Sequence, residues 1–222
     1  MLINDELKMK IEQIIGDIAS EYRRTKGLIL SEDDLKCLIF SKLKYYFYPF
    51  SPSYNRRRQN NLENTPQQQL TWRMKTSDES IYASPMHTEV PWYDRRNKLA
   101  IRPDITLLEP NKLSILHGLG GFHLPSKQFE FGGQGVIFEL KFIRNKYGIN
   151  EKHLKSFQKD FDKIKAIFDR LASEGKSNDI YCYFIIFNKT NLYCNQFRRY
   201  LQAKGTGPWY KIIYGTGNVI FD

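Results

Sequence analysis

Three residues on two short stretches have the types and spacing to do chemistry together: Asp104, Glu139 and Lys141. In Val136-Ile137-Phe138-Glu139-Leu140-Lys141-Phe142 the side chains of a strand would alternate between faces. Val136, Phe138, Leu140 and Phe142 then share one face, suited to packing under a helix. Glu139 and Lys141 share the other with Ile137. An acid and a base two residues apart in an apolar run are costly unless each meets a partner or a ligand. The second stretch, Arg102-Pro103-Asp104-Ile105, places Leu99, Ile101, Ile105 and Leu107 on one face and Arg102, Asp104 and Thr106 on the other. If the strands are neighbours, Asp104 comes beside Glu139, and two carboxylates brought together repel unless a cation lies between them. Oxygen-only ligation suits Mg²⁺ (or Mn²⁺), completed by water and substrate phosphate. Such an ion polarises a phosphodiester and activates water, with Lys141 placed to orient that water or stabilise developing charge. The plainer alternative is a surface ion pair of Glu139 and Lys141 on a half-exposed sheet.

Pro103-Asp104 followed by Glu139-Leu140-Lys141 resembles the signature of the PD-(D/E)xK nuclease superfamily. Its members share a core of a helix, a β-meander, a helix and a further strand, and the sequence resembles that order from about residue 31 to 187. The resemblance implies a restriction-endonuclease-like α/β fold and a metal-dependent endonuclease, with DNA the expected substrate. It also implies that Asp104, Glu139 and the main-chain carbonyl of Leu140 hold the metal, and that Lys141 is the catalytic lysine.

Several superfamily members carry an acid on the first core helix that reaches the metal, and Glu32 in Ser31-Glu32-Asp33-Asp34-Leu35 resembles it. Acids in a first turn also complement the helix dipole with no catalytic duty. His87 and Glu89, at i and i+2, would share a strand face just ahead of Asp104, where they could reach the metal shell or the scissile phosphate; an edge-strand polar pair is the alternative. Gln158 and Asp160 lie off the apolar stripe of a later helix, where related nucleases often place assisting polar residues; decoration of an exposed face is the alternative. His117, His123 and His153 have no metal-ligand spacing, and no GxSxG elbow is present.

The elements that must position these residues follow from periodicity. Asn4 can cap a helix in which Leu7, Ile11, Ile14, Ile18 and Tyr22 recur, with Gly27 as a stop. Ser31 opens a second helix, with Asp34 as its capping-box partner, running through Leu35, Leu38, Ile39 and Leu43 into Tyr45-Tyr46-Phe47-Tyr48. These helices form an N-terminal helical part over about 1–48. A surface loop is expected over about 49–70, carrying Arg56, Arg57 and Arg58. Met86 to Tyr93 and Lys98 to Leu108 read as a hairpin turning at Asp94-Arg95-Arg96-Asn97, with a further strand at Leu113 to Leu116. Gly118, Gly120, Gly121, Gly132, Gly133 and Gly135 read as turn glycines of an inserted loop, since no GK[ST] follows. Leu154, Phe157, Phe161, Ile164, Phe168 and Leu171 define an amphipathic helix, and Ile180 to Phe187 a buried strand. A short helix near Leu192 to Leu201 and strands at Trp209 to Tyr214 and Val219 to Phe221 end the chain. The expectation is one domain over 1–222, α/β with a mixed sheet.

The 222 residues suffice for one buried core. With 34 Lys and Arg against 24 Asp and Glu, the charge of +10 favours a polyanionic partner, nucleic acid above all. Arg56, Arg57, Arg58, Arg95 and Arg96 are the expected backbone contacts, which supply affinity without sequence information. Cys37, Cys182 and Cys194 form no CxxC pair, so neither a disulfide framework nor structural zinc is expected, and a reducing cytoplasm fits. No apolar run approaches a membrane span. Cutting both strands of a duplex would call for a homodimer or a partner subunit. The rival from another class is a non-catalytic nucleic-acid-binding module with a nuclease-like fold inside a larger complex, which would need no divalent ion.

Overall fold

A computed structural model describes residues 3–25, 27–47, 72–75, 80–83, 86–93, 99–108, 113–115, 129–131, 133–176 and 179–217. Both N-terminal helices begin where their caps predict. The Asn4 side chain accepts from Leu7 N at 2.7 Å and starts α1 (Asp5–Arg24). Asp5 and Glu6 in its first turn, and Arg23 and Arg24 in its last, complement the dipole. Before α2 (Glu32–Phe47), Asp34 N donates to Ser31 Oγ and Ser31 N to Asp34 Oδ2, each at 3.0 Å, the reciprocal pair of a capping box. Gly27 lies in the turn between them at φ +83°, three residues beyond the last helical one.

Among the described residues twelve strands form three sheets. A four-stranded sheet has the order β2 (Ser80–Ala83), β1 (Trp72–Lys75), β7 (Leu113–Ile115), β8 (Phe129–Phe131). The six-stranded mixed sheet runs β11 (Thr206–Gly207), β12 (Tyr210–Thr216), β10 (Ile180–Asn188), β9 (Gly135–Ile143), β6 (Ile105–Leu108), β3 (Met86–Thr88). Its members β9, β10 and β12 are parallel, whereas β6 runs antiparallel to β9 and to β3. A two-stranded ribbon pairs β4 (Trp92–Tyr93) with β5 (Leu99–Ile101).

Helices cover both faces of the large sheet. Val136, Phe138, Leu140 and Phe142 of β9, with Tyr181, Tyr183, Ile185 and Phe187 of β10, form one core with α1 and α2. Ile137, Cys182, Phe184 and Ile186 form another with Phe157, Phe161, Ile164 and Ile167 of α3 (Glu151–Ser173) and Phe197 of α4 (Asn195–Lys204). Being covered on both sides, β10 is buried at all nine positions and reads in sequence as a continuous apolar run. The same placement on β9 makes Glu139 and Lys141 conspicuous.

Three expectations are corrected. The segment 98–108 is not one strand, nor is 86–93. Each breaks midway, and the outer halves form the β4–β5 ribbon while the inner halves join the large sheet as β3 and β6. Pro91 and Pro103 fall inside the two breaks, and a ladder cannot pass residues that lack an N–H. Glu89 N still donates to Pro103 O at 3.0 Å across the gap. The C-terminal short helix begins at Asn195 rather than near Leu192, because 192–194 are used in a bridge from Tyr193 to Ile149. Strands β1, β2 and β8 were not foreseen. The loop with Arg56, Arg57 and Arg58, the turn with Arg95 and Arg96, Tyr48, most of the Gly-rich segment and Val219 to Phe221 lie outside the described residues.

The turn between β9 and α3 depends on one glycine. Gly148 has φ +72°, and a Cβ there would stand 1.8 Å from the Leu192 carbonyl oxygen, which accepts Ile149 N at 3.1 Å. Gly148→Ala is therefore expected to cost about 2–3 kcal/mol, combining left-handed strain with overpacking. Equilibrium urea unfolding checks it; an unchanged midpoint would refute the close approach.

Candidate active site

The site arises where β6 stops short along β9. Ile105 stands opposite Phe138 and Thr106 opposite Ile137, so the next rung would place Asp104 opposite Glu139. There the chain bends instead, and the ladder ends with β9 continuing to Ile143. Amides along the rest of that edge would lack partners, and buried amides without partners are costly. Two carboxylates supply them. Leu140 N donates to Asp104 Oδ2 at 2.8 Å, and Phe142 N donates to Glu32 Oε2 at 3.0 Å. Since the N–H and C=O of one strand residue point to the same side, the Leu140 carbonyl lies on this edge, between the two amides.

On the α3 side of the sheet, Lys141 Nζ lies 2.7 Å from Glu139 Oε1 and 3.0 Å from Asp160 Oδ2. The other oxygen of Asp160 accepts Lys163 Nζ at 2.7 Å. Glu139 is only 5% exposed, and its Oε2 is buried with no hydrogen-bond partner among the described residues. That degree of burial rules out the surface ion pair on a half-exposed sheet.

The electrostatics follow from burial. Desolvation pushes the Glu139 carboxyl up to about 7, against the pull of Lys141 and with Asp104 and Asp160 adding to the rise. Burial likewise raises Glu32 and Asp104 above their ordinary values, although each accepts a backbone amide and feels Lys141. Burial alone would lower Lys141, but Glu139, Asp160 and Glu32 outweigh it and hold the ammonium above its ordinary range. Asp160 is held low, since Lys163 and Lys141 together outweigh its own burial.

The expected residues thus meet unequally. Asp104, Glu139, Lys141 and Glu32 converge on the free edge of β9. Gln158 does not join them: its amide reaches Asp162 and Lys204, on the other flank of α3. Asp160, the second polar residue singled out on that helix, is the one that reaches Lys141. His87 stands opposite Thr106 within β3. Glu89 does not share a strand face with it, because β3 ends at Thr88 and Glu89 adopts φ +55°. Its carboxylate instead accepts Lys36 Nζ at 3.2 Å. Sequence reasoning missed Lys36, one helical turn after Glu32, which also pairs with Asp33 and feels Asp104. The i, i+4 spacing from Glu32 was its available signal.

Among the described residues, no group of three or more His, Cys, Asp or Glu side chains could hold a metal ion by itself. The set the sequence suggests has two side chains and one carbonyl, so it falls below that count. It fits a hard cation in one respect: Glu139 Oε2 is a buried oxygen without a donor, beside a second carboxylate held above its ordinary value. No helix among the described residues is long and apolar enough to cross a membrane. Comparison with family models, with curated proteins and with solved structures finds no match for this chain.

Proposed function

We propose that this chain is a metal-dependent nuclease of the PD-(D/E)xK type, hydrolysing phosphodiester bonds, with DNA the first substrate to test. One observation carries the reading: Asp104 and Glu32 both accept amides from the edge of β9 that bears Glu139 and Lys141. A surface ion pair needs no such gathering of acids, and burying them is costly without a ligand. The element order also supports a restriction-endonuclease-like fold. After α2 come the antiparallel strands β3, β6 and β9, then α3, then β10 parallel to β9.

In this reading Asp104, Glu139 and the Leu140 carbonyl would hold Mg²⁺ or Mn²⁺, with Glu32 beside them. The ion, when bound, polarises the scissile phosphate and lowers the pKa of water. The chain's own part is positional. Two backbone amides fix Asp104 and Glu32, so their oxygens are oriented before substrate arrives. Lys141, held protonated between Glu139 and Asp160, serves as a fixed positive charge and N–H donor. It orients the attacking water and stabilises charge on the phosphate oxygens, rather than acting as a base.

The test is cleavage of supercoiled plasmid by wild type and Asp104→Ala, with Mg²⁺, with Mn²⁺ and with chelator. Nicking or linearisation that needs the ion and disappears in the variant is the expected result. Nucleic-acid binding without cleavage of plasmid or of single-stranded circular DNA under either ion would replace the enzyme with the non-catalytic module.

A further inference from the structure

A second surface lies just beyond the end of β9, and its composition is unusual for a solvated face. Tyr147 is 71% exposed, Tyr193 37% and its neighbour Leu192 52%. The bridge from Ile149 to Tyr193, with Cys194 N donating to Ile149 O at 2.9 Å, joins the two segments that carry these side chains. Gly148 seated against the Leu192 carbonyl fixes the turn that presents Tyr147. Both rings stand beside cations: Lys146 Nζ is 5.0 Å from the Tyr147 centroid, and the Arg198 guanidinium is 5.7 Å from that of Tyr193.

Lysines continue the surface along α3. Lys152, Lys155 and Lys159 recur at steps of three and four, so they form one row on the exposed side of the helix. Among the described residues none of the three has an acidic partner. Farther along the same helix, Lys163 pairs with Asp160, Lys165 with Asp169 and Arg170 with Glu174. Lys152, in the first turn of α3, also opposes the helix dipole, so its charge does not serve helix stability. At the far end of the row Lys163, one turn beyond Lys159, pairs with Asp160 at 2.7 Å, and the other oxygen of Asp160 meets Lys141 at 3.0 Å.

We propose that the Tyr147 turn, the Tyr193 segment and the lysine row of α3 bind a single nucleic-acid strand, bases stacked on Tyr147 and backbone along the lysines, leading to Lys141. An exposed aromatic offers a face that any unpaired base can use and that a paired, stacked base cannot. The lysines supply the sequence-independent grip on phosphate. This rests on the nuclease reading for what lies at the end of the track, and narrows its substrate to unpaired strands.

Fluorescence anisotropy of a labelled oligonucleotide, alone or annealed to its complement, tests the surface in chelator with the full chain. The single strand should bind more tightly than the duplex. Tyr147→Ala should weaken single-strand binding about tenfold and leave duplex binding unchanged. The combined variant Lys152→Gln, Lys155→Gln, Lys159→Gln should lower the slope of log affinity against log salt by about 2. Equal affinity of wild type and Tyr147→Ala for the single strand, or duplex bound as tightly as single strand, overturns the proposal. So does failure to bind either. If binding depends on Tyr147 but no metal supports cleavage of the single strand, the surface stands and the nuclease reading falls; if the single strand is cleaved but Tyr147 is silent, the reverse holds.

Discussion

Replacing Glu139 by Gln is expected to abolish cleavage while making the metal-free protein more stable at alkaline pH than at acid pH relative to wild type. The two effects share one cause. Burial raises the Glu139 carboxyl from the ordinary range to about 7, so the folded state binds its proton more tightly than the unfolded chain does. For an acid shifted in that direction, the stabilisation is complete below the unfolded value and is lost as pH rises through the folded one. Wild type therefore loses stability between about pH 4.5 and 7, and the deficit persists above that. A shift of this size corresponds to roughly 3 kcal/mol between the two limits. Glutamine keeps an oxygen for Lys141 and carries no titrating proton, so the difference between variant and wild type should grow by about 2–3 kcal/mol from pH 5 to pH 8. Urea unfolding in chelator at the two pH values measures it. A pH-independent difference would mean that Glu139 is not buried as described. Cleavage on the nuclease reading should fall by at least about 10²–10³, since a charged oxygen at the reacting centre is gone. A residue whose removal stabilises the fold and destroys activity is retained for function, not structure.

How much of this was legible in advance depends on which physical signal each residue carries. Helix starts were legible because caps are local: Asn4 and the Ser31/Asp34 pair announce themselves within four residues. The common face of Glu139 and Lys141 followed from strand alternation alone. That Asp104 would lie beside them required β6 to neighbour β9, which a Pro-Asp before an apolar run suggests but does not determine. The break at Pro103 was in plain sight, and its consequence was not, since proline is also tolerated at strand starts and edges. Asp160 and Gln158 could not be separated by sequence. They flank the Phe157/Phe161 stripe on opposite sides, and only the rotation of α3 over the sheet decides which faces Lys141. Lys36 and Glu89 belong to elements more than fifty residues apart, and their pairing depends on Glu89 leaving the strand at positive φ. Long-range ion pairs of that kind have no local signature.

The same buried cluster makes Lys141→Met a pH-sensitive lesion of the opposite sign to the loss of Glu139. Methionine fills much of the volume of the lysine stem, so the packing change is small. The electrostatic change is not, because Lys141 is the largest influence favouring ionisation of Glu139 against the cost of burial. Without it the Glu139 carboxyl moves higher still, and Asp104 and Glu32 lose a cation that lowers each of them. Asp160 keeps Lys163, so the uncompensated charge falls on Glu139. A proton can relieve it. Near pH 6 the carboxyl is neutral and the variant should approach wild-type stability. As pH rises through 7 toward 9, keeping that proton against bulk solution costs up to about 1.4 kcal/mol per pH unit. The deficit should therefore reach roughly 2–4 kcal/mol at pH 9, within the range for breaking a buried ion pair. Equilibrium unfolding at four pH values between 6 and 9 resolves it, and a flat deficit would contradict the coupling between Lys141 and Glu139. Divalent cation should restore part of the lost stability at pH 9 if Glu139 is a ligand, because the ion then replaces the missing ammonium as the charge that lets the carboxylate ionise. It should restore no cleavage, because the donor that orients the attacking water on the nuclease reading is absent. Recovery of stability without recovery of activity would therefore assign separate duties to two charges that lie 2.7 Å apart.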